Sequence, residues 1–427
     1  MQSNTAMKFY IKTFGCQMNV YDSSRIADLL DSVGFINTNN PDDAEIIIYN
    51  TCHIREKAAE KVFSELGTKR KDGKILVLAG CVAQALDDYI FTRAPFVNIV
   101  VGPQSYHLLP QMLINHQNKI AKTDFPIISK FDYLPSRKPT CCSDYITIQE
   151  GCDKFCSYCV VPYTRGAEYS RPIGDIVKEA KELTDKGVKE ITLLGQNVDA
   201  YEYNLATLLY KLAELKNLEI IRYITSYPSN ITAELINAHK EIPKLAPFIH
   251  LPVQSGSNAI LRAMNRKYTR EQYIDIINAF REARADMAVS SDFIVGFPNE
   301  TDKDFEDTIS LVEKIGFSSA FAFKYSPRAG TTAATMNGQI DEKIKKERLD
   351  ILLRLLNEQS ESFNQSFIGK TVKTLVYKKS KKGLYTGKSL YMQTINIHSK
   401  SDIMNKIISV KITENGKNSI TGEAQVD

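Results

Sequence analysis

The chain has 427 residues, 43% hydrophobic and 24% charged, proportions that exclude a wholly disordered chain, a collagen and a coiled coil. Its net charge of +4 is unevenly spread: from Thr371 onward there are ten lysines, no arginine and four acids, a local excess of +6 on a near-neutral body. Such a tail suggests contact with a polyanion, or else a solvated lysine surface. No apolar run approaches the ~18 residues of a membrane span, and MQSNTAMKFYIKTFGC lacks the basic start, apolar core and small-residue cleavage site of a signal peptide. The expectation is a cytoplasmic protein with no membrane contact, whose eight cysteines are ligands or thiols rather than a disulfide framework.

The first third alternates two periodicities. KFYIKTF reads as a strand, followed by a helix with Ile26, Leu29, Leu30 and Val33 on one face. EIIIYNT is a buried-type strand, and its helix carries Ala59, Val62, Phe63 and Leu66 as a stripe. KILVLAG is a third strand, with a helix starting near Val82. Repeated strand–helix units predict an open parallel sheet with helices on its faces over residues 1–135. Pro126, Pro135, Pro139 and the polar run SRKPTCCSD then read as a linker and a domain boundary.

Six strand candidates follow, YITIQ, EITLL, IIRYITS, FIHLPV, VSSDFIV and AFAFKYS, with helical patterns between them such as Ile176, Val177, Ala180 and Leu183. Six βα units over residues 138–368 fit a partial (β/α) barrel, in which chemistry sits at the C-terminal strand ends. A charged helix from about Asp341 to Phe367, with Leu349, Leu352, Leu353 and Leu356 as its stripe, closes this part. Over residues 369–427, VKTLVYK, MQTINIH and IISVKIT, with Gly383, Gly387, Gly416 and Gly422 between them, predict a small antiparallel β-barrel. The fold class is therefore α/β, in three domains.

The cysteines carry the chemistry. Cys152, Cys156 and Cys159 form a C-x3-C-x2-C run directly after a strand. Three thiolates on one loop can hold three irons of a cubane cluster and leave the fourth iron open for catalysis. The alternative is structural zinc, with Cys141 and Cys142 ten residues upstream as further ligands; the x3 spacing and the lack of a second C-x2-4-C pair argue against it. Cys16, Cys52 and Cys81 each lie at the C-terminal end of one of the three N-terminal strands, about one βα unit apart. Neighbouring strand ends of an open parallel sheet share one edge, so these three thiols are expected to converge. Each taken singly reads as a buried small hydrophobe. Cys141 and Cys142 read as linker residues.

The C-x3-C-x2-C run, with Tyr158 before its last cysteine, resembles the radical S-adenosylmethionine signature, and GCDKFCSYCVVPYTRGAEYSRP resembles the methylthiotransferase family. Within it the chain is most similar to the tRNA 2-methylthio-isopentenyladenosine synthases of the MiaB type, through KTFGCQMNVYDS, NTCHIREKAAEKVFSEL, GCVAQ, LLGQNVDAY, HLPVQSGS, MNRKYTR, SDFIVGFPNETDKDFEDT and FKYSPRAGT, which span roughly residues 8–350. The resemblance implies two [4Fe–4S] clusters: Cys152, Cys156 and Cys159 would hold the one that binds S-adenosylmethionine, and Cys16, Cys52 and Cys81 an auxiliary one concerned with sulfur. It implies a tRNA substrate, an electron donor such as flavodoxin or ferredoxin, and a sulfur source. The last domain resembles the TRAM module, a small RNA-binding barrel, with Lys388 where the family often has Arg.

The implied reaction converts N6-dimethylallyladenosine at position 37 of tRNA, beside the anticodon, into its 2-methylthio derivative, with two molecules of S-adenosylmethionine. Carbon 2 of adenine has no acidic proton and no leaving group, so a radical is the natural way to exchange its C–H for C–S. Sister enzymes sharing both cysteine triads act on threonylcarbamoyladenosine in tRNA or on a ribosomal-protein aspartate; a third reading is a non-catalytic RNA-binding protein with structural metal. Candidate cofactor-binding residues are Tyr158, for the adenine, and Gln196 and Gln254 at later strand ends, with Gly296-Phe297-Pro298 beyond them. Arg165 and Arg171 are candidates to face phosphate or carboxylate, and Tyr163 and Tyr169 to stack on an extruded base.

Overall fold

The computed structural model describes residues 6–52, 56–69, 73–115, 118–125, 129–139, 141–381, 383–416 and 419–425. The side chain of Ala59, residues 53–55 of the NTCHIREK run, and Pro126 and Thr140 of the predicted linker lie outside what is described. The chain forms two compact units, one of Met1–Lys138 with Glu150–Asp153 and Val160–Tyr169, the other of Pro139–Gln149, Lys154–Cys159 and Ser170–Asp427. Among the described residues no helix is long and apolar enough to cross a membrane.

The first unit is built on six parallel strands: β1 (Lys8–Thr13), β2 (Ile36–Asn37), β3 (Ile46–Thr51), β4 (Ile75–Gly80), β5 (Ile99–Val101) and β6 (Ile120–Lys122), in the order β2-β1-β3-β4-β5-β6. Strand alternation explains the two-sided burial. Ile46 and Ile48 pack with Ile26 and Leu30 of the helix Gln17–Ser32, while Ile47 and Tyr49 pack on the other face with Val62 and Leu66 of the helix Glu56–Lys69. Val33, predicted in the first stripe, stands just past the helix and is 54% exposed. Strands β2, β5 and β6 have two or three residues each, too few for a readable period. The predicted linker is not a loose tether: Lys130 and Arg137 are buried in this unit.

In the second unit β7 (Ser143–Thr147) opens a run of parallel strands β10 (Glu190–Leu194), β11 (Ile220–Tyr223), β12 (Phe248–His250), β13 (Ala288–Val295) and β14 (Ser319–Lys324), while the two-residue strands β8 (Gln149–Glu150) and β9 (Tyr169–Ser170) each have one residue in either unit. They form two three-stranded parallel sheets, β7-β10-β11 and β12-β13-β14, linked by a bridge from Ile221 to Leu245. This is the predicted partial barrel. Ile146, Leu193, Ile221, Val289 and Phe293 point to the surrounding helices, including Ile173–Asp185 and Arg270–Ala283, and form one core with Leu352 and Leu356 of the helix Glu342–Gln365.

The tail is a closed barrel of β15 (Thr371–Lys379), β16 (Tyr385–Ser389), β17 (Thr394–His398), β18 (Ile407–Asn415) and β19 (Ile420–Gln425), ordered β15-β16-β17-β19-β18. It is antiparallel except that β17 and β19 pair parallel, which departs from the expected wholly antiparallel barrel. Gly387 and Gly422, expected between strands, lie within them. A Cβ on Gly387 would come within 2.5 Å of Thr374 Cγ2, and one on Gly422 within 2.5 Å of Lys411 O, so both mark close strand approach.

A fully buried arginine locks this barrel to the β7-β10-β11 sheet. Arg222 donates from Nε to Glu190 Oε2 (2.8 Å), from Nη1 to Leu390 O (2.7 Å) and from Nη2 to Ser389 O (2.8 Å). Lys388 turns toward the same carboxylate, 3.9 Å away, and burial lowers its ammonium pKa. Replacing Arg222 with Ala strands Glu190 in a site 1% exposed. The expected cost is about 3–5 kcal/mol of unfolding free energy, measured by urea denaturation against wild type.

Candidate functional site

Strands β1, β3 and β4 are neighbours, with Thr13 beside Asn50 and Thr51 beside Gly80. Their C-terminal ends therefore bring Cys16, Cys52 and Cys81 to one edge, as their spacing predicts. Gly15 lets the chain pass over Cys52: at φ 123° its ideal Cβ would lie 2.2 Å from Cys52 Cβ. Gly80, at φ 90°, is as tightly hemmed by Asn50 Oδ1 and Thr51 O, both 2.5 Å from such a Cβ. A buried amide lattice ties the edge together. Asn19 Nδ2 donates to Asn50 Oδ1 and to Thr51 O (3.1 Å each), and Asn50 Nδ2 donates to Asn19 O (2.9 Å) and Ser23 Oγ (3.0 Å).

Electrostatics activate one of these thiols. Cys16 stands at the N-cap of the helix Gln17–Ser32, and a hydrogen bond from Cys52, the nearby Arg165 guanidinium and the first-turn amides lower its pKa to about 6. Burial raises Cys81, against the pull of Arg165, which hydrogen-bonds it. Arg165 is itself buried, with Nη2 donating to Asp22 Oδ2 (2.7 Å) and Nη1 to Glu150 Oε1 (3.4 Å). Lys130 Nζ donates to Glu150 Oε1 (2.7 Å) and lies 3.6 Å from Asp22 Oδ1. Two cations and two carboxylates thus balance beneath the thiols. Arg165, expected to face phosphate or carboxylate, faces the carboxylates of Asp22 and Glu150. Lys130, Glu150 and Asp22 carried no separate signal, because 128 residues of chain separate Asp22 from Glu150.

In the second unit Cys156 and Cys159 share a turn, Cys159 N donating to Cys156 O (2.9 Å). That turn is pinned on both sides: Ser157 N donates to Met264 O (3.1 Å), and Asn265 Nδ2 to Phe155 O (2.9 Å). Arg266 is buried and reaches Cys156 Sγ from Nη1 (3.6 Å), held by Nε to Tyr268 Oη (2.7 Å), by Nη2 to Pro252 O (2.7 Å) and by the face of Tyr227, 4.2 Å from the ring centroid. Sequence reading missed Arg266, whose only signal is membership of the MNRKYTR run. Cys152, in the first unit, donates its backbone N–H to Gly166 O (3.2 Å).

The other candidates separate clearly. Half-buried Tyr158 packs in an apolar cluster with Ile260, Met264, Phe297 and Tyr325. Gln196 is set by its backbone: its N–H and that of Asn197 donate to Oε1 of fully buried Gln149 (3.0 and 3.1 Å), a residue sequence reading missed. Gln254 sits at φ 73°, its N–H donating to Asp292 O (2.9 Å) and its carbonyl accepting from Ile294 N (2.9 Å). Gly296 N donates to Glu300 Oε1 (2.8 Å), a carboxylate bound by Arg348. Arg171 is buried on Thr147 O (2.8 Å) and Glu179 (2.8 Å), a structural contact rather than a substrate-facing one. Tyr163 and Tyr169 are exposed in the first unit, with Tyr169 stacked on Phe131.

The donor chemistry fits iron–sulfur clusters. The thiols of the first unit are spread across three strand ends, are sulfur only, and face a guanidinium that offsets thiolate charge. The second unit repeats that pairing of thiol and buried arginine at Cys156.

Two family models match the chain, the Radical SAM superfamily over residues 146–312 and the uncharacterized protein family UPF0004 over residues 8–102. The chain is 52% identical, over 97% of its length and 99% of the relative's, to a tRNA-2-methylthio-N(6)-dimethylallyladenosine synthase of Rickettsia canadensis, and 52% identical to that of Rickettsia akari over 97% and 98%. Among solved structures it resembles the radical S-adenosylmethionine methyltransferase TsrM from Kitasatospora setae (TM-score 0.58, 12% identity, covering 77% of this chain and 75% of that one) and the cobalamin-dependent radical enzyme OxsB (TM-score 0.55, 12% identity, 82% and 56%). At such identities these two likenesses concern the fold.

The thiol pattern is testable in the cluster-free protein. With a pKa of about 6, Cys16 is mostly thiolate at pH 7 and loses reactivity as pH falls through 6. Replacing Cys52 with Ala removes the hydrogen bond that lowers it. Iodoacetamide labelling of Cys16 at pH 7, followed by peptide mass spectrometry, should then slow severalfold, with the midpoint of its pH profile moving upward.

Proposed function

The chain belongs to the tRNA-2-methylthio-N(6)-dimethylallyladenosine synthase family, and from that premise we propose how its own residues divide the work of a radical tRNA methylthiotransferase. The enzyme uses S-adenosylmethionine and iron–sulfur clusters to place a methylthio group on carbon 2 of N6-dimethylallyladenosine in tRNA. In this proposal Cys152, Cys156 and Cys159 hold the cluster that meets S-adenosylmethionine, and Cys16, Cys52 and Cys81 hold the auxiliary one. When bound, the first supplies the electron that cleaves S-adenosylmethionine to methionine and a 5′-deoxyadenosyl radical, and the second presents the sulfur to be methylated by another S-adenosylmethionine.

The protein's part is placement and charge. Arg266 donates to Cys156 Sγ and orients it, while Tyr227 and Tyr268 hold the guanidinium dry. Gln149 sets the turn at Gly195-Gln196-Asn197 after β10, and the left-handed backbone at Gln254 sets the turn after β12. Both turns lie at C-terminal strand ends of the partial barrel, where ligands of such folds bind. Tyr158 brings an apolar wall for the cofactor's adenine. Arg165 offsets the charge of Cys16 and Cys81. We assign residues 1–135, 138–368 and 369–427 as the auxiliary-cluster, radical and RNA-binding domains. An electron donor of the flavodoxin or ferredoxin class and a separate sulfur source complete the reaction, and the tRNA substrate supports a cytoplasmic site of action.

The observation that carries the two-cluster reading is the convergence of three cysteines from separate strands beside a buried arginine. Two measurements test it. Anaerobic reconstitution should give about eight irons per chain; Cys16→Ala should lose about half of them yet still form 5′-deoxyadenosine, whereas Cys156→Ala should form none. Mass spectrometry of tRNA nucleosides should show the methylthio-dimethylallyl nucleoside only in cells carrying the gene. A gene-dependent methylthio group on threonylcarbamoyladenosine or on a ribosomal-protein aspartate instead would overturn the substrate assignment.

A further inference from the structure

Strand alternation gives the β12-β13-β14 sheet two unlike faces. Val289, Phe293, Val295, Ala320 and Ala322 pack into the helix-covered core. The opposite face carries His250, Ser290, Asp292, Ile294, Phe321 and Phe323, in register: His250 beside Ser290, Asp292 beside Phe321, and Ile294 beside Phe323. It holds two features that the roles above leave unused. Phe321 and Phe323 stand 56% and 37% exposed on the same side of edge strand β14. Next to them His250 is fixed between Ser290 Oγ (Nδ1, 3.1 Å) and Asp292 Oδ2 (Nε2, 3.4 Å). Two large aromatics this exposed, side by side on one strand, form apolar surface of the kind that marks a binding site. The face also adjoins the cysteine loop, because Ile294 packs in the same apolar cluster as Tyr158.

We propose that this face is the cradle for the modified base, with Phe321 and Phe323 as the platform for the flipped adenine and its dimethylallyl arm and the Asp292 carboxylate, held by His250, as the polar edge that accepts from the exocyclic N6–H. The proposal rests on the family's reaction and adds the residues that select its substrate. The chemistry matches on both counts: a base extruded from RNA is read by stacking on aromatics and by hydrogen bonds to its edge, and a branched apolar arm on N6 needs an apolar surface. Phe321 and Phe323 are specificity residues, and His250 is a positioning residue that orients Asp292.

The test uses the reconstituted full-length enzyme and an anticodon stem-loop RNA bearing N6-dimethylallyladenosine. Phe321→Ala/Phe323→Ala should raise KM for the RNA tenfold or more while leaving KM for S-adenosylmethionine unchanged, and should release more 5′-deoxyadenosine per product than wild type. Phe321→Tyr/Phe323→Tyr should restore coupling, and Phe321→Leu/Phe323→Leu should not. His250→Ala should raise the RNA KM severalfold. Wild-type KM and coupling in the alanine variant would overturn the cradle and leave the reaction standing, as would a change in oligomeric state as its sole effect. If the alanine variant fails to take up iron, the tyrosine and leucine variants decide, and equal KM values for the two would overturn it. A wild-type enzyme that forms no methylthio nucleoside would instead overturn the function on which the proposal rests.

Discussion

In a parallel sheet every strand ends on the same edge, and this constraint organises the chemistry of both units. In the first, it brings Cys16, Cys52 and Cys81 together although 64 residues of chain lie between the first and last. In the second, it lines up the turns at Gln196, Gln254 and Gly296 after β10, β12 and β13. Hydrogen bonds between strands hold these ends in fixed register, so the positioning needs no long side chains. Close backbone approach is the consequence, and it is met where side chains are smallest: Gly15, Gly80 and Gly195 each sit where a Cβ would collide.

Thiolates gathered on such an edge repel one another, and the fold answers with buried guanidinium groups. Arg165 lies against Cys16 and Cys81, and Arg266 against Cys156. Each is costly to bury alone. Arg165 is compensated by Asp22 and Glu150, whose own surplus is balanced by Lys130. Arg266 is compensated differently, by a carbonyl and two tyrosines. That difference sets apart a network of formal charges from a site wrapped in aromatic surface, where a cation persists without an ion pair. The same device reappears away from the chemistry: Arg222 and Glu190 fix the terminal barrel to the β7-β10-β11 sheet.

The terminal barrel shows a division of labour. Its lysine excess is the feature that composition exposes, yet Lys388 is spent on the interior, against Glu190. In the assignment proposed above, RNA attraction would fall to the remaining lysines as a diffuse, salt-sensitive field, and selection of the base to the partial barrel. There the exposed aromatic pair of β14 contrasts with Ala320 and Ala322 of its other face, which are partly buried against the helix-covered core.

Periodicity in the sequence determined the long elements, because a strand such as EIIIYNT or a helix stripe such as Leu352 and Leu356 carries its burial pattern locally. It likewise placed Cys16, Cys52 and Cys81 at neighbouring strand ends, since strand-end position can be read from the strand itself. It could not reveal β2, β5, β6, β16 or β19, which are too short or too rich in glycine and polar residues to show a period, nor that the proline-marked stretch buries Lys130 and Arg137. Tertiary structure alone decided which charges meet. Asp22 with Arg165, Arg266 with Cys156 and Arg222 with Ser389 are more than 100 residues apart, and a charged side chain looks the same in sequence whether it ends in water or beside a thiol. What separates those fates is the desolvation cost, which is settled only when distant segments close around the group.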